Sequence, residues 1–269
     1  MVSSPSTPSP FPGAPLAAPG EPAPPCPLAL GASRFARRLQ ADLARLRDFR
    51  SVAILEGRHG SGRFELALTA SARTELNKFV CHADELSASR LDALLAPTRA
   101  NTLPVRLVVL EADRLSVAQQ SLLEALIRAQ LPGHAALAPR LRLVLCAQTS
   151  LCDLHFNEFL LIRATTSTFH VPDFTDRWQD WADICRAILR RAHPGNLTFG
   201  ADALKWVDRE LWPGDYMQLH RTIELAALLA ADANVTALTD THLAAARTQE
   251  PACNTPLYHD HLYHDHSGD

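Results

Sequence analysis

The stretch Ser51-Val-Ala-Ile-Leu-Glu56-Gly57-Arg58-His59-Gly60-Ser61-Gly62-Arg63-Phe64 decides the fold. Ser51 to Glu56 is a short apolar run with the length of a buried strand. Gly57 to Arg63 is a glycine-rich turn, and Phe64 to Thr74 carries a helical pattern. A strand, a glycine-rich turn and a helix in this order wrap backbone N–H groups around phosphate. Gly57, Gly60 and Gly62 have the spacing of a P-loop, with Ser61 between the last two. Arg63 stands where a P-loop has the lysine that reaches the β- and γ-phosphates. Phe64 stands where a Ser or Thr hydroxyl would meet Mg²⁺. Arginine keeps the positive charge but spreads it over a longer planar fork, so the exchange is not conservative. Taken alone, such a turn either cradles phosphate or is a structural turn that binds nothing, and its own residues leave both open.

The flanking sequence shifts that balance. Val105 to Leu110 reads as a second apolar strand ending in Glu111-Ala112-Asp113, and Leu141 to Ala147 as a third ending in Gln148. The amphipathic segment Val117 to Arg128 lies between them. Strands alternating with helices after a P-loop predict a parallel α/β sheet whose carboxyl edge carries the ligand. After Pro172 the pattern is helical, over Trp178 to Ala192, Gly200 to Leu211 and Tyr216 to Ala231. The expected organisation is a Pro-rich tail over 1–27, an α/β nucleotide-binding subdomain over 28–172, a small all-helical lid over 173–247 and a His/Asp-rich tail over 248–269. Trp178, Trp181, Trp206 and Trp212 are expected to pack in the lid core, since no basic stripe interleaves them for base stacking.

Composition bounds the function classes. The chain has 269 residues, 47% of them hydrophobic, enough to bury a large core. A net charge of -3 gives no global cationic field for nucleic acid or an anionic membrane. No apolar run approaches the ~20 residues of a transmembrane helix, and the N-terminus has no secretory pattern. Cysteines at 26, 81, 146, 152, 185 and 253 form no C-x-x-C pair, which fits neither a disulfide framework nor a zinc site. A reducing, cytoplasmic setting follows.

Ten of the 19 prolines fall between Pro5 and Pro27, a composition of extended, solvated chain. The arginines at 34, 37, 38, 45, 47 and 50 give the first helix a basic face, read as solvated and partly balanced by Asp42 and Asp48 rather than as a phosphate site. Near the C-terminus Tyr-His-Asp-His-Leu at 258–262 repeats as Tyr-His-Asp-His at 263–266. Its imidazoles suit Zn²⁺, Ni²⁺ or Cu²⁺, but a solvated tail is the preferred reading. His59 and His220 read as structural or surface residues.

These blocks resemble the AAA+ domain of sigma-54-dependent transcriptional activators, the NtrC-type enhancer-binding proteins. Leu30-Gly31-Ala32-Ser33 resembles the family's first motif, and Gly57 to Arg63 its G-E-x-G-T-G-K turn. Phe79-Val80-Cys81 resembles the strand after the first helix, and Val171 through Asp180 the linker L-P-P-L-R-x-R-x-x-D-I. Trp212-Pro213-Gly214-Asp215-Tyr216-Met217-Gln218-Leu219 is similar to W-P-G-N-V-R-E-L, the most specific block. The resemblance runs from about Leu28 to Arg247. It implies ATP or ADP as cofactor, with Mg²⁺ wherever one acid suffices to hold it. Gly57, Gly60, Ser61, Gly62, Arg63, Phe64 and Gln148 are the implied nucleotide contacts, and Glu111 and Arg163 the implied catalytic groups.

The departures imply weak turnover. The family's adjacent Asp and Glu are replaced by Leu110 and Glu111, with Asp113 displaced; Gln148 replaces the sensor Asn. Of two arginine fingers, one is lost to Asn157 and Arg163 is kept, while Met217 replaces the sensor-II arginine. A single finger is typically worth ~10³–10⁵ in rate. The G-A-F-T-G-A loop that grips sigma-54 is absent from the short Asp84 to Pro104 crossover, and no helix-turn-helix for direct DNA binding follows. Two functions are therefore expected to compete. One is a degenerate regulatory module that joins AAA+ partner subunits in a homo- or hetero-oligomer. The other is a slow ATPase that remodels a partner other than sigma-54.

Overall fold

The computed structural model describes residues 26–49, 51–69, 77–100, 102–193 and 195–249. Residues 1–25 of the proline-rich tail, residues 250–269 of the His/Asp-rich tail, Arg50 and the last part of the helix expected over Phe64 to Thr74 lie outside the described residues, whereas residues 248 and 249, expected in the tail, end a helix. The chain divides into two compact units, Ala32–Arg177 and a second one joining 26–31 to 178–249.

The first unit is built on a five-stranded sheet in the order β2-β3-β4-β1-β5. Its strands are β1 (Val52–Glu56), β2 (Asn77–His82), β3 (Val105–Leu110), β4 (Leu141–Ala147) and β5 (Thr168–His170). Every pairing is parallel, which requires helical crossovers and covers both faces. That is why β3 is buried at all six positions and, Arg106 apart, reads as an apolar run with no alternation. The parallel α/β class expected from the sequence is the one found.

The described residues of this unit form the α-helices α1 (Arg34–Asp48), α2 (Arg63–Thr69), α3 (Ala88–Leu95), α4 (Val117–Ile127) and α5 (Glu158–Ala164). Ser33 caps α1 by accepting from Ala36 N at 3.0 Å, and Ala36, Leu39 and Leu46 form its buried face. The arginines of α1 described here are exposed, and Asp42 pairs with Arg45 at 3.3 Å, in line with the solvated-face reading. Ser116 and Gln119 form a capping box on α4. The Gln119 amide also donates to the carbonyls of Ala83 and Leu86, at 2.5 and 3.0 Å, fixing the exit of β2.

One residue breaks the apolar pattern. Arg106 on β3 is fully buried, and its guanidinium donates to Ala67 O at 3.0 Å and Leu46 O at 3.5 Å. It thereby hydrogen-bonds backbone carbonyls in the last described turns of α2 and α1.

The second unit holds α6 (Trp181–Ala192), α7 (Ala201–Arg209), α8 (Asp215–Asp232) and α9 (Asp240–Gln249), with a two-stranded parallel pair, β6 (Thr198–Phe199) and β7 (Ala237–Leu238). The short turn Pro27–Ala29 packs on α6 with Leu28 buried, so residues 28–31 belong to this unit rather than to the α/β unit. Gly31 has φ +110, and a β-carbon there would lie 2.1 Å from Asp180 Oδ1. The glycine of the first motif and the aspartate of the linker motif are thus brought into direct contact. In the W-P-G block, Trp212 donates its indole N–H to Val207 O at 3.0 Å and meets Trp206 edge-on at 6.0 Å. Three tryptophans sit as expected, but Trp178 is 62% exposed. It lies in the 3₁₀ stretch Phe174–Asp180, and Trp181, three residues on, takes the buried position instead.

Candidate nucleotide site

β1 leads through α2 to β2 on one side of the sheet, and β4 leads through α5 to β5 on the other. The connections that leave the neighbouring parallel strands β1 and β4 therefore run toward opposite edges of the sheet, and ligands of open α/β sheets bind outside the carboxyl ends at such a point. The glycine-rich turn leaves β1 there. Gly57 N donates to Ala147 O, at the end of β4, at 3.1 Å.

Close packing fixes the turn's sequence. A β-carbon on Gly57 would meet Ser61 Oγ at 2.9 Å and Val171 O at 3.0 Å, so only glycine fits. Gly60 and Gly62 have φ of 81 and 82, in the left-handed region that glycine enters without strain. Ser61 N closes the turn on Arg58 O at 3.1 Å. Ser61 Oγ is buried and has no hydrogen-bond partner among the described residues. Arg58 reaches out of the turn to Asp173 Oδ2 at 3.0 Å.

Arg63 folds back into the turn it terminates. It is 7% exposed, and its Nη1 donates to Gly57 O at 2.8 Å and to Arg58 O. Burial lowers its guanidinium below the ordinary arginine value, against the opposing pull of Cys146, Asp113 and Glu111. His59 is held below the usual histidine value by burial and then by Arg63, with Glu111 pulling the other way. The turn, the end of β3 and the end of β4 thus share one electrostatic environment. Burial pushes the thiols of Cys81 to about 11 and of Cys146 and Cys185 to about 12, so none of these is a thiolate nucleophile near neutral pH.

The acids after β3 are engaged by the chain itself. Glu111 adopts φ 54, and its Oε2 lies 2.7 Å from Arg114 Nη1. Asp113 Oδ1 accepts from the backbone N–H of Gln148 at 3.0 Å. Gln148 is thereby placed at this edge, joined by its backbone N–H to the turn that follows β3. Asn157, where the family resemblance expects an arginine, caps α5 by accepting from Leu160 N at 3.0 Å and ties it to α4 by donating to Glu124 Oε2 at 2.7 Å. Arg163 is exposed on α5 with its guanidinium 5.2 Å from the centre of the Phe159 ring. Arg58–Asp173 and Glu111–Arg114 are the pairs that motif reading missed. The second had a visible signal, an acid and a base three residues apart.

No family model and no curated protein matches the chain. Solved structures do. NtrX from Brucella abortus in complex with ATP is 20% identical with a TM-score of 0.60, over 84% of this chain and 57% of that one. Its complex with ADP gives 18% and 0.58 over the same shares. A lysine-to-arginine variant of RuvB from Thermotoga maritima is 17% identical with a TM-score of 0.54, over 80% of this chain and 67% of that one. The chain spans little more than half the length of the NtrX chain it matches. At these identities the likeness is one of fold alone: a parallel five-stranded sheet flanked by helices.

Proposed function

We propose that this chain is a degenerate AAA+ nucleotide-binding protein resembling the sigma-54 activators. It acts as a regulatory subunit that modulates transcription through protein–protein contacts and hydrolyses ATP weakly or not at all. One observation carries the reading: both acids that follow β3 are committed within the chain, Glu111 to Arg114 and Asp113 to the amide of Gln148. Activation of water requires a carboxylate within hydrogen-bond reach of it, and these two are turned to other work. Binding survives such losses better, because a turn of backbone N–H groups needs no particular side chain. The cytoplasm suits the reading, since the described cysteines are all free thiols.

The test of binding is a calorimetric titration with ADP and ATP. Heat is expected for the wild type, with Arg63→Ala weakening binding by about tenfold or more, the loss of one charge-assisted contact. Arg63→Lys is expected to be tolerated or to bind more tightly, since a compact ammonium reaches between phosphates. Equal affinities for all three proteins would remove Arg63 from the site.

Arg163 supports the partner half of the reading. It is exposed, so in a head-to-tail assembly of AAA+ subunits it is available to a neighbour's nucleotide. Co-purification with an AAA+ activator from the same cell is expected, and it should be lost in Arg163→Ala. Promoter opening by the purified chain alone would contradict the regulatory role. A slow ATPase is the second reading, favoured by Glu111, which keeps its place directly after β3 and acts electrostatically on His59 and Arg63.

A further inference from the structure

This inference rests on the reading of the turn as a nucleotide site and concerns the chemical form of the nucleotide. Mg²⁺ takes oxygen ligands in octahedral geometry, and in P-loop proteins it is held by a hydroxyl after the loop lysine and an acid after a later strand. The donor set here does not fit it. Phe64 and Leu110 offer no oxygen from their side chains, Glu111 Oε2 is ion-paired to Arg114 at 2.7 Å, and Asp113 Oδ1 accepts from Gln148 N at 3.0 Å. Among the described residues no group of three His, Cys, Asp or Glu is placed to hold a metal ion.

The turn instead carries a cation of its own. Arg63 is 7% exposed, and only its Nη1 is hydrogen-bonded among the described residues, to the carbonyls of Gly57 and Arg58. Its Nε and Nη2 donors are left for a ligand. Ser61 supplies a second, independent sign of a ligand. Its Oγ is buried at 1% exposure with no hydrogen-bond partner among the described residues, on the inner side of the turn facing Gly57. An orphan hydroxyl in such a place costs stability unless something occupies it.

We propose that the turn binds the metal-free nucleotide, uncomplexed ADP or ATP. Arg63 neutralises the phosphates, and Ser61 and the backbone N–H groups of the turn hydrogen-bond to them. The sign of the metal effect is then inverted. Free nucleotide carries more negative charge than its Mg²⁺ complex, so added Mg²⁺ withdraws the form that binds.

The test is calorimetric titration of the full chain with ADP and ATP in excess EDTA and again in excess MgCl₂. Affinity in EDTA is expected to be about tenfold higher, a difference of ~1.4 kcal/mol. Ser61→Ala is expected to bind about tenfold more weakly in EDTA, since a hydrogen bond to a charged group is lost. Tighter binding in MgCl₂ than in EDTA would overturn this inference and leave nucleotide binding standing. The absence of heat in both media would overturn the two together. An unchanged affinity in Ser61→Ala would overturn the site as drawn.

Discussion

Gly31→Ala is expected to destabilise the helical unit by about 3 kcal/mol or more, through two costs that add. A non-glycine residue held at a φ near +110 is strained, which costs of order 1–3 kcal/mol. The new methyl would also overlap Asp180, whose Oδ1 lies 2.1 Å from its position, and overpacking of this kind costs another ~1–3 kcal/mol. Asp180 is buried at 1% exposure and cannot step aside into solvent. For a unit of this size the melting temperature should fall by roughly 12–24 °C. Tryptophan fluorescence is the right readout, because Trp178, Trp181, Trp206 and Trp212 all lie in this unit. The cost of Gly31→Ala should be smaller when measured in an Asp180→Ala background, as contacting residues couple. A shift of under ~2 °C, or full additivity, would show that the backbone moves to accommodate the methyl.

The second large effect concerns turnover. Phosphate release by the purified chain is expected to lie at least ~10³-fold below the ~10 s⁻¹ typical of enzymes. Each missing group supplied charge or position to the transition state, and the structure shows what occupies several of their places. Asn157 caps a helix, Asp113 accepts from the backbone N–H of Gln148, and Glu111 is paired with Arg114. Restoring one of them should recover little, because groups that act as a unit are strongly non-additive. A turnover near the typical value, in a preparation free of contaminating ATPase, would refute this and the degenerate reading with it.

Where the sequence could be read and where it could not follows from what each signal depends on. The apolar runs at Val52–Glu56, Val105–Leu110 and Leu141–Ala147 were legible because a parallel strand buried on both faces has no alternative pattern. The turn at Gly57 was legible because its spacing is a backbone requirement. By contrast, α3 and α9 are short and bury only two residues each, too few to produce a periodic stripe. Arg106 was illegible for another reason. Its partners are carbonyl oxygens of Ala67 and Leu46, which every residue possesses, so nothing in their side chains announces the contact. At the site, the residue types at Arg63, Glu111 and Gln148 were legible. Their occupation was not: whether Glu111 faces a ligand or Arg114 is decided by a left-handed backbone at one residue.

The helical unit is discontinuous in the chain, since residues 26–31 pack with residues that begin at 178. On a ribosome adding roughly 5–20 residues per second, Leu28 emerges about 7–30 s before the α6 surface that buries it. The whole of Ala32–Arg177 is synthesised in that interval, and domains generally fold as units. The glycine-rich turn at Gly57 can therefore be assembled in a nascent polypeptide whose helical unit does not yet exist, while an apolar turn waits unburied ahead of it. A chaperone that recognises short apolar segments has its longest opportunity at Pro27–Ala29, and it loses that opportunity only when synthesis passes α6.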